Sequence, residues 1–286
     1  MASTVILAIT SDTHCRSTIG LCPDSPIPLD EGGYYLPSEP QKWLWDRWCS
    51  YWERVEAVRK QYKGSKLYQV YNGDLVEGRH HGTVQLIAGH DATEMDIAAE
   101  CLDVPLALKP NRIFVVRGTE AHVGQSASKE EGLAAMMKGM GHDVVRDENG
   151  NHSFFELSLQ ISGVDFHFTH HGTMGQRPWL TGNVVNMMAA QIAMEYHADG
   201  LKPPDFAIRS HLHRTWDTGP STPVRVIQTP CFQLATSYIH KKFTGRASLA
   251  DIGGIIIVIR PDGTTHVETI KDRPKRPKAW IDKKGV

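Results

Sequence analysis

The sequence lacks the cysteine pattern of a disulfide-stabilised or thiolate-metal protein. Its five cysteines (Cys15, Cys22, Cys49, Cys101 and Cys231) are scattered, odd in number and include no C-x-x-C pair. This pattern favours reduced thiols in a cytosolic protein over a disulfide framework.

Long hydrophobic runs are also missing. The apolar stretch Val5–Ile9 is shorter than the core of a signal peptide, which has about 7–15 residues, and no basic segment precedes it. A later run, Ile255–Ile259, is far below the ~20 residues that cross a bilayer. We therefore expect a cytoplasmic protein with no membrane partner.

Net charge is small, but it is unevenly distributed. The chain has 286 residues, with 31 Lys and Arg against 32 Asp and Glu, a formal net charge of −1. The last segment, 271–286, carries a net charge of +5, which leaves −6 for residues 1–270. A hydrophobic content of 41% excludes a mainly disordered chain. We predict one domain over 1–270 and a flexible basic tail over 271–286.

The order of predicted elements indicates an α/β protein with two sheets. In the first half, short apolar strands are predicted at Val5–Ile9, Leu67–Tyr71 and Ile113–Val116. They alternate with helices predicted from apolar spacing and capping residues over 44–62, 91–108 and 128–140. The second half has one predicted helix, 184–197, among strands at Phe154–Ile161, Asp165–Thr169, Ala207–Arg209, Val224–Gln228, Gly254–Ile259 and His266–Ile270. Two packed sheets with helices outside reconcile the two halves.

Polar residues follow five of these strands directly. The segments are Asp12-Thr13-His14, Gly73-Asp74-Leu75-Val76-Glu77, Gly118-Thr119-Glu120-Ala121-His122, His170-His171 and His211-Leu212-His213. The carboxyl ends of parallel strands line one edge of a sheet, where ligands bind. Mixed carboxylate and imidazole donors suit Mn, Fe, Zn or Ni ions. The sequence therefore predicts a divalent-metal site.

This order of motifs resembles that of the calcineurin-like metallophosphoesterases. Their pattern runs D-x-H, G-D-x-x-[DE], G-N-H, a single His and G-H-x-H, and here it spans Asp12 to Arg214. The resemblance implies a four-layer α/β/β/α sandwich with two mixed β-sheets. It also implies a hydrolase that cleaves phosphate esters with a metal-bridging hydroxide, using two divalent ions. We expect Mn first, with Fe, Zn or Ni as alternatives.

Ligand roles follow from the resemblance, residue by residue. One ion would be held by four side chains: Asp12, His14, Asp74 and His213. Asp74 would bridge to a second ion, which His170 and His211 would also hold. Either His170 or His171 could be the single-histidine ligand: the Thr-His pair favours His170 and the His-Gly pair favours His171, and we choose His170.

The third motif departs from the family pattern, because Thr119 stands where the family has Asn. We expect Glu120 to replace that Asn as a ligand of the second ion, with Thr119 as the alternative. His122, displaced along the chain, is then expected to take the catalytic acid/base role.

Candidate phosphate-binding residues surround these motifs. We predict Arg79, His171 and Arg214 as substrate-binding residues, because cations beside a bound phosphate neutralise developing charge. Further candidates are His80, His81 and Arg177; for each, an exposed polar residue without a function is the alternative interpretation. Four tryptophans (Trp43, Trp45, Trp48 and Trp52) lie at or beside a helical apolar stripe, so we expect core packing rather than base stacking.

Three functions are compatible with these motifs. We predict a phosphodiesterase, with nucleic acid as a candidate substrate because the basic tail could contact a phosphate backbone. The acidic body argues against a nucleic-acid surface. The alternatives are a phosphomonoesterase acting on nucleotides or phosphoproteins, and a non-catalytic scaffold with the same fold. The intact Asp12-x-His14 and His211-x-His213 motifs argue for an enzyme.

Overall fold

Two five-stranded β-sheets form the centre of the molecule. The computed structural model describes residues 3–30, 32–80, 82–175, 177–242 and 250–275. In chain order the strands are β1 (Val5–Thr10), β2 (Ile27–Pro28), β3 (Tyr34–Tyr35), β4 (Lys66–Asn72), β5 (Arg112–Val116), β6 (Leu157–Ile161), β7 (Val164–His171), β8 (Phe206–Ser210), β9 (Trp216–Asp217), β10 (Arg225–Gln228), β11 (Ile252–Ile259) and β12 (Thr265–Asp272). The helices are α1 (Glu39–Gln61), α2 (Asp91–Leu106), α3 (Glu120–Val123), α4 (Ser128–Gly139), α5 (Thr181–Ala198) and α6 (Ser237–Lys242).

Both large sheets are mixed. The first has the strand order β12-β11-β1-β4-β5, in which β1, β4 and β5 are parallel and β11 and β12 are antiparallel additions. The second has the order β6-β7-β8-β10-β9, with β7, β8 and β10 parallel and an antiparallel strand at each edge. Parallel strands at the centre of each sheet therefore end side by side, which is where the sequence predicts the site.

Side-chain packing arranges the sheets and helices in four layers. Between the sheets lies a core that includes Leu7 and Ile9 of β1 and Phe166 and Phe168 of β7. The other face of the first sheet packs against α1, α2 and α4. The outer face of the second sheet packs against α5. This α/β/β/α arrangement confirms the predicted fold class.

Helix α1 begins earlier than its apolar stripe indicates, because a capping box at Ser38 and Gln41 starts it. Trp48 and Trp52 are fully buried, and the Trp48 indole donates a hydrogen bond to the carbonyl of Cys101 at 3.0 Å. The other two tryptophans of this helix are partly buried against the same core. The prediction that these rings pack in the core is confirmed.

The C-terminal boundary differs from the prediction. Strand β12 continues to Asp272, and the guanidinium of Arg273 lies 2.6 Å from the buried carboxylate of Asp251. Segment 271–275 therefore continues the fold, while the rest of the predicted basic tail, 276–286, lies outside the described residues, as does His81. All five cysteines are free. Across the described part of the chain, every helix is too short or too polar to span a bilayer.

Candidate metal centre

The end of β7 and the loops that follow β1, β4 and β8 bring six predicted ligands together from both sheets. They form two groups, and within each group the donor atoms lie within 4.8 Å of one another. The groups are Asp12, His14 and His213, and Asp74, His170 and His211. Residues separated by up to about 200 positions thus meet at one edge of the two sheets, as the motif order predicts.

Five of these residues have left-handed backbone conformations, which are rare for residues other than glycine. The φ angles are positive at Asp12 (51°), His14 (44°), Asp74 (54°), His211 (75°) and His213 (52°). Each such residue costs on the order of 1–3 kcal/mol, and such conformations cluster at functional sites. Hydrogen bonds between loops hold two of them: the Asp12 amide donates to the Gly73 carbonyl at 2.9 Å, and the His14 amide to the Asp74 carbonyl at 3.0 Å.

The first group has the donor arrangement of a cation site. The Nε2 atoms of His14 and His213 face each other at 3.2 Å, and Asp12 Oδ1 lies 3.3 Å from the latter nitrogen. Asp12 Oδ1 is buried and has no hydrogen-bond partner of good geometry among the described residues. Two imidazole nitrogens and a carboxylate oxygen that converge in this way fit a divalent cation of the Mn, Fe or Zn type.

Asp74 connects the two groups. Its Oδ2 atom lies 2.9 Å from His170 Nε2, 3.9 Å from His211 Nδ1 and 4.0 Å from His14 Nε2. A carboxylate between two cations reduces their mutual repulsion, because it is a negative ligand shared by both. The geometry therefore fits the bridging position that the resemblance implies for this residue.

Outer contacts orient the rings of two histidines. Nδ1 of His170 donates to the carbonyl of Asn72 at 2.7 Å, so its Nε2 faces the centre. Nδ1 of His14 lies 2.8 Å from Glu77 Oε2, so the Nε2 atom of His14 also faces the centre. Such outer contacts fix tautomers and ring orientation in metal sites. Glu77 is the last position of the G-D-x-x-[DE] motif, and that motif was the signal that could have identified its role.

The pKa values of Asp74 and His170 are shifted in opposite directions, so that the carboxylate is held ionised and the imidazole holds its proton strongly. Burial raises the pKa of Asp74, but His170, His211 and His14 outweigh burial and keep that pKa well below its usual range. Burial lowers the pKa of His170, yet Asp74 and Asp12 raise it to about 9. The centre is therefore strongly negative and stabilises positive charge, which is the electrostatic requirement of a cation site.

The third motif differs from the prediction, since Glu120 does not reach the centre. It is the first residue of α3, its side chain is exposed, and its Oε1 accepts a hydrogen bond from the Ser126 amide at 3.2 Å. Thr119 Oγ1 lies instead 3.2 Å from both Asp74 Oδ2 and His211 Nδ1. The expectation of Glu120 as a ligand is corrected: the chain turns into α3 immediately after Thr119, which carries Glu120 away from the centre.

His122 lies beside the first group. Its Nδ1 donates to the Glu77 carbonyl at 2.9 Å, and its ring packs edge-on against that of His14 at a centroid distance of 4.6 Å. Burial and the charge of His14 lower the pKa of His122 to about 4. The ring is therefore neutral near pH 7, with Nε2 as a proton or hydrogen-bond acceptor.

Of the predicted substrate-binding residues, His171 lies at the rim of the centre. It is exposed, with Nε2 3.3 Å from Thr119 Oγ1. The two arginines contact residues outside the two donor groups. Arg79 is exposed and interacts with Asp91, and Arg214 donates to Thr181 Oγ1 at 3.4 Å. Position after a motif was insufficient to predict where these long side chains lie.

A buried carboxylate that the sequence did not indicate supports the centre from behind. Glu130 of α4 accepts hydrogen bonds from the Leu75 amide at 3.2 Å and from the Gly118 amide at 2.6 Å. It thereby joins the loops that carry Asp74 and Thr119. Burial and the charge of Asp74 raise the pKa of Glu130 to about 7. A single acidic residue within a helical segment carries no signal of such a role.

Comparison with solved structures returns chains of low similarity. A predicted phosphoesterase from Streptococcus pneumoniae is 11% identical, with 95% of this chain and 100% of that chain covered and a TM-score of 0.32. Vps29 from Entamoeba histolytica, complexed with Zn²⁺, is 13% identical, with 93% and 98% covered and a TM-score of 0.37. A dimetal phosphatase from Danio rerio is 9% identical, with 93% and 98% covered and a TM-score of 0.40. No protein-family model matches the chain, and no curated protein does.

Sequence identities and TM-scores this low do not indicate a function. The functional inference therefore comes from the sheet order and the converging side chains. The chain has the four-layer α/β/β/α fold that its motifs imply. Candidate metal ligands occupy the edge where the two sheets meet.

Proposed function

We propose that this protein is a dinuclear metal-dependent phosphoesterase that hydrolyses phosphodiesters. The observation that carries the proposal is the position of Asp74, whose Oδ2 lies 2.9 Å from His170 of one donor group and 4.0 Å from His14 of the other. Two divalent cations at these groups would clamp the phosphate and supply a nucleophile from water at neutral pH. Mn²⁺ is our first choice, with Fe, Zn and Ni as alternatives.

The protein's own part in this chemistry is preorganisation. Asp12 and Asp74 are fully buried, so their charges interact in a medium that screens them weakly. The contacts of Glu77 with His14 and of Asn72 with His170 set the imidazoles before any substrate arrives. We assign to His122 the role of a neutral proton acceptor beside the reacting phosphate, because its Nδ1–H is already bonded and only its Nε2 is available.

Charge around the centre favours a diester over a monoester. Among the described residues, Asp12, Asp74 and His170 form hydrogen bonds and ion pairs with histidine, threonine and backbone groups, and with no lysine or arginine. At the rim, burial and His170 lower the pKa of His171, so this ring is also neutral near pH 7. A diester carries one negative charge and a monoester nearly two. The centre offers few fixed cations for the second charge.

Two model esters test the proposal. The full chain is assayed with bis-(p-nitrophenyl) phosphate and with p-nitrophenyl phosphate, each after dialysis against a chelator and after addition of Mn²⁺. We expect turnover of the diester that requires the ion and exceeds turnover of the monoester. Turnover of the monoester alone would replace the diesterase with a phosphomonoesterase.

One observation favours a second candidate, a non-catalytic scaffold. Thr119 stands where the family has an Asn ligand, and its hydroxyl is a weaker metal ligand than an amide oxygen or carboxylate. If the chain binds two ions, measured by calorimetry, yet hydrolyses neither ester with Mn²⁺, Fe²⁺, Zn²⁺ or Ni²⁺, the scaffold is the better description. The cytoplasmic location remains a prediction from the sequence.

A further inference from the structure

Aromatic and cationic side chains are concentrated at the first turn of α5, beside the metal centre. We define the aromatic face as Arg177, Trp179, Arg214 and Trp216. Trp179 is 74% exposed and Trp216 is 37% exposed. Tryptophan is highly buried on average in folded proteins, so two accessible rings in one place need an explanation.

Packing contacts with the start of α5 hold two residues of the aromatic face in place. The Trp216 ring lies against Gly182 so closely that a Cβ atom at that glycine would be 2.0 Å from the ring. Arg214 reaches the same turn through Thr181 Oγ1 at 3.4 Å. These contacts place Trp216 and Arg214 against the start of α5, a few residues from Trp179.

Two chain connections place the aromatic face next to the metal centre. Arg214 directly follows His213, and the three residues from His213 to Trp216 span at most about 10 Å. On the other side, only nine residues of the sequence, 172–180, separate His171, at the rim of the centre, from the start of α5.

The chemistry of the aromatic face combines flat rings with positive charge. The Arg177 guanidinium lies 5.9 Å from the centroid of the Trp179 ring, in cation–π range. An apolar protein partner would have to desolvate Arg177 and Arg214, which is costly. A nucleobase stacks on an exposed indole, and its phosphates are complementary to both arginines. The pairing of aromatic and cationic groups therefore fits a nucleotide better than an apolar surface.

We propose that the aromatic face binds a nucleobase of a phosphodiester whose scissile phosphate lies at the metal centre. Trp179 is the stacking platform, and Arg177 and Arg214 contact phosphate oxygens. The proposal rests on the proposed function for the scissile phosphate, and it names the substrate class as nucleotidyl diesters, with single-stranded polynucleotides as the extended form.

Binding without catalysis tests the aromatic face by itself. The full chain is titrated into a fluorescein-labelled oligothymidylate in the presence of a chelator, and anisotropy gives the Kd. Stacking on an aromatic ring predicts that Trp179→Ala weakens binding about 5- to 150-fold, whereas Trp179→Phe keeps most of the affinity. Met194→Ala is the matched control, because Met194 is also apolar, 72% exposed and on α5.

A second measurement links the aromatic face to hydrolysis. Thymidine 5′-(p-nitrophenyl) phosphate and methyl p-nitrophenyl phosphate share a leaving group and differ in the nucleoside. We expect Trp179→Ala to lower the ratio of their kcat/KM values about 5- to 150-fold, mainly through KM of the nucleoside ester. Circular dichroism spectra of the variants check that folding is unchanged.

The outcomes separate the two proposals. If the wild type fails to bind the oligothymidylate, or if Trp179→Ala binds it as well as the wild type, the aromatic face is not a base-binding site. If Trp179 controls binding but neither diester is hydrolysed, the aromatic face stands and the diesterase proposal fails. Equal kcat/KM ratios in wild type and Trp179→Ala, with both esters hydrolysed, would overturn the aromatic face as part of the substrate site.

Discussion

The two sheets contribute to the metal centre in different ways. Loops of the first sheet supply the carboxylates Asp12 and Asp74, both fully buried. The first sheet also supplies the buried His14. The second sheet supplies three imidazoles: His170 is buried at the end of β7, whereas His211 and His213, in the loop after β8, are 35% and 22% exposed. A carboxylate charge can be buried only where fixed partners compensate it, and here the histidines and backbone amides of the centre are those partners. The first sheet thus forms the floor of the centre, and the second sheet forms the side that a substrate approaches.

A few hydrogen bonds join these two sides. The Asn72 amide group donates to Ser210 Oγ at 2.6 Å and to the Thr169 carbonyl at 3.1 Å, and so connects the end of β4 to the ends of β8 and β7. The His211 amide donates to Asp12 Oδ2 at 3.2 Å. The carboxylates are therefore held by the second sheet as well as by their own loops, and changes on the floor should have the largest effects.

The largest effect is expected at Asp74. In Asp74→Asn the bridging charge is lost, so we expect no detectable hydrolysis and fewer bound ions per chain, measured by calorimetry with Mn²⁺. The loss should exceed the 10- to 100-fold range of residues that touch ligands only indirectly. Asp46→Asn on the exposed face of α1 is the matched control and should behave as wild type. Unchanged ion stoichiometry in Asp74→Asn would show that this carboxylate does not bridge.

The next largest effect is expected at His122, on the first-sheet side of the centre. If it accepts a proton during the reaction, His122→Ala slows turnover about 10²- to 10⁴-fold and leaves ion binding intact. The check is kcat for the diester beside calorimetric ion stoichiometry. Exposed His266 of β12 offers the control His266→Ala. Wild-type rates in His122→Ala would remove it from the catalytic residues and make it a packing partner of His14.

A smaller effect is expected at Glu130, which supports the floor without reaching the ions. Glu130→Gln retains the size of the side chain, but its carbonyl oxygen can accept from only one of the two amides. Its NH₂ group then faces the other N–H, of Gly118 or Leu75, and two donors meet without an acceptor. We expect a loss of about 10- to 100-fold in activity or ion affinity, with a change in Tm that is small by comparison. Glu53→Gln, at an exposed position of α1, is the control. A fall in Tm with normal ion affinity would mean that Glu130 stabilises the fold only.

The smallest effect concerns a histidine of the second sheet that lies outside the centre. His167 Nδ1 accepts a hydrogen bond from Arg209 at 2.9 Å, and its Nε2 lies 2.6 Å from Glu156, with Tyr196 packed nearby. Burial and Arg209 lower its pKa below 6.5 in the folded state, and Glu156 only partly offsets them. As pH falls below 6.5, His167 of the unfolded chain binds a proton, whereas His167 of the folded chain remains neutral. Its contribution to the free energy of unfolding is therefore present above pH 6.5 and is lost as pH falls.

Urea unfolding at pH 7.5 and pH 5.5, with chelator present, measures this contribution. We expect the wild type to lose more stability on acidification than His167→Gln, whose amide can still accept from Arg209. His266→Gln, at an exposed position of β12, is the control. The same pH dependence in wild type and His167→Gln would mean that the pKa of this imidazole is the same in the folded and the unfolded chain.

Much of this picture was accessible from local sequence patterns. Apolar strands followed at once by Asp12-Thr13-His14 and His211-Leu212-His213 place donors at strand ends, because strand length and the turn residues after it are local properties. The spacing of Leu44, Trp48 and Val55 predicts the buried face of α1 for the same reason. Fold class and the six converging ligands follow from such patterns together with the family resemblance.

What local patterns could not show depends on contacts between distant residues. Glu120 and Thr119 are neighbours with plausible donor groups, and the turn into α3 decides that Thr119 faces the centre. The choice between His170 and His171 is made by burial in β7 and by the carbonyl of Asn72, 98 positions away. Glu130 and the aromatic face exist only because loops distant in sequence pack together. The sequence by itself thus predicts which residue types follow each strand and in what order. The direction of each side chain is decided by tertiary packing and long-range hydrogen bonds.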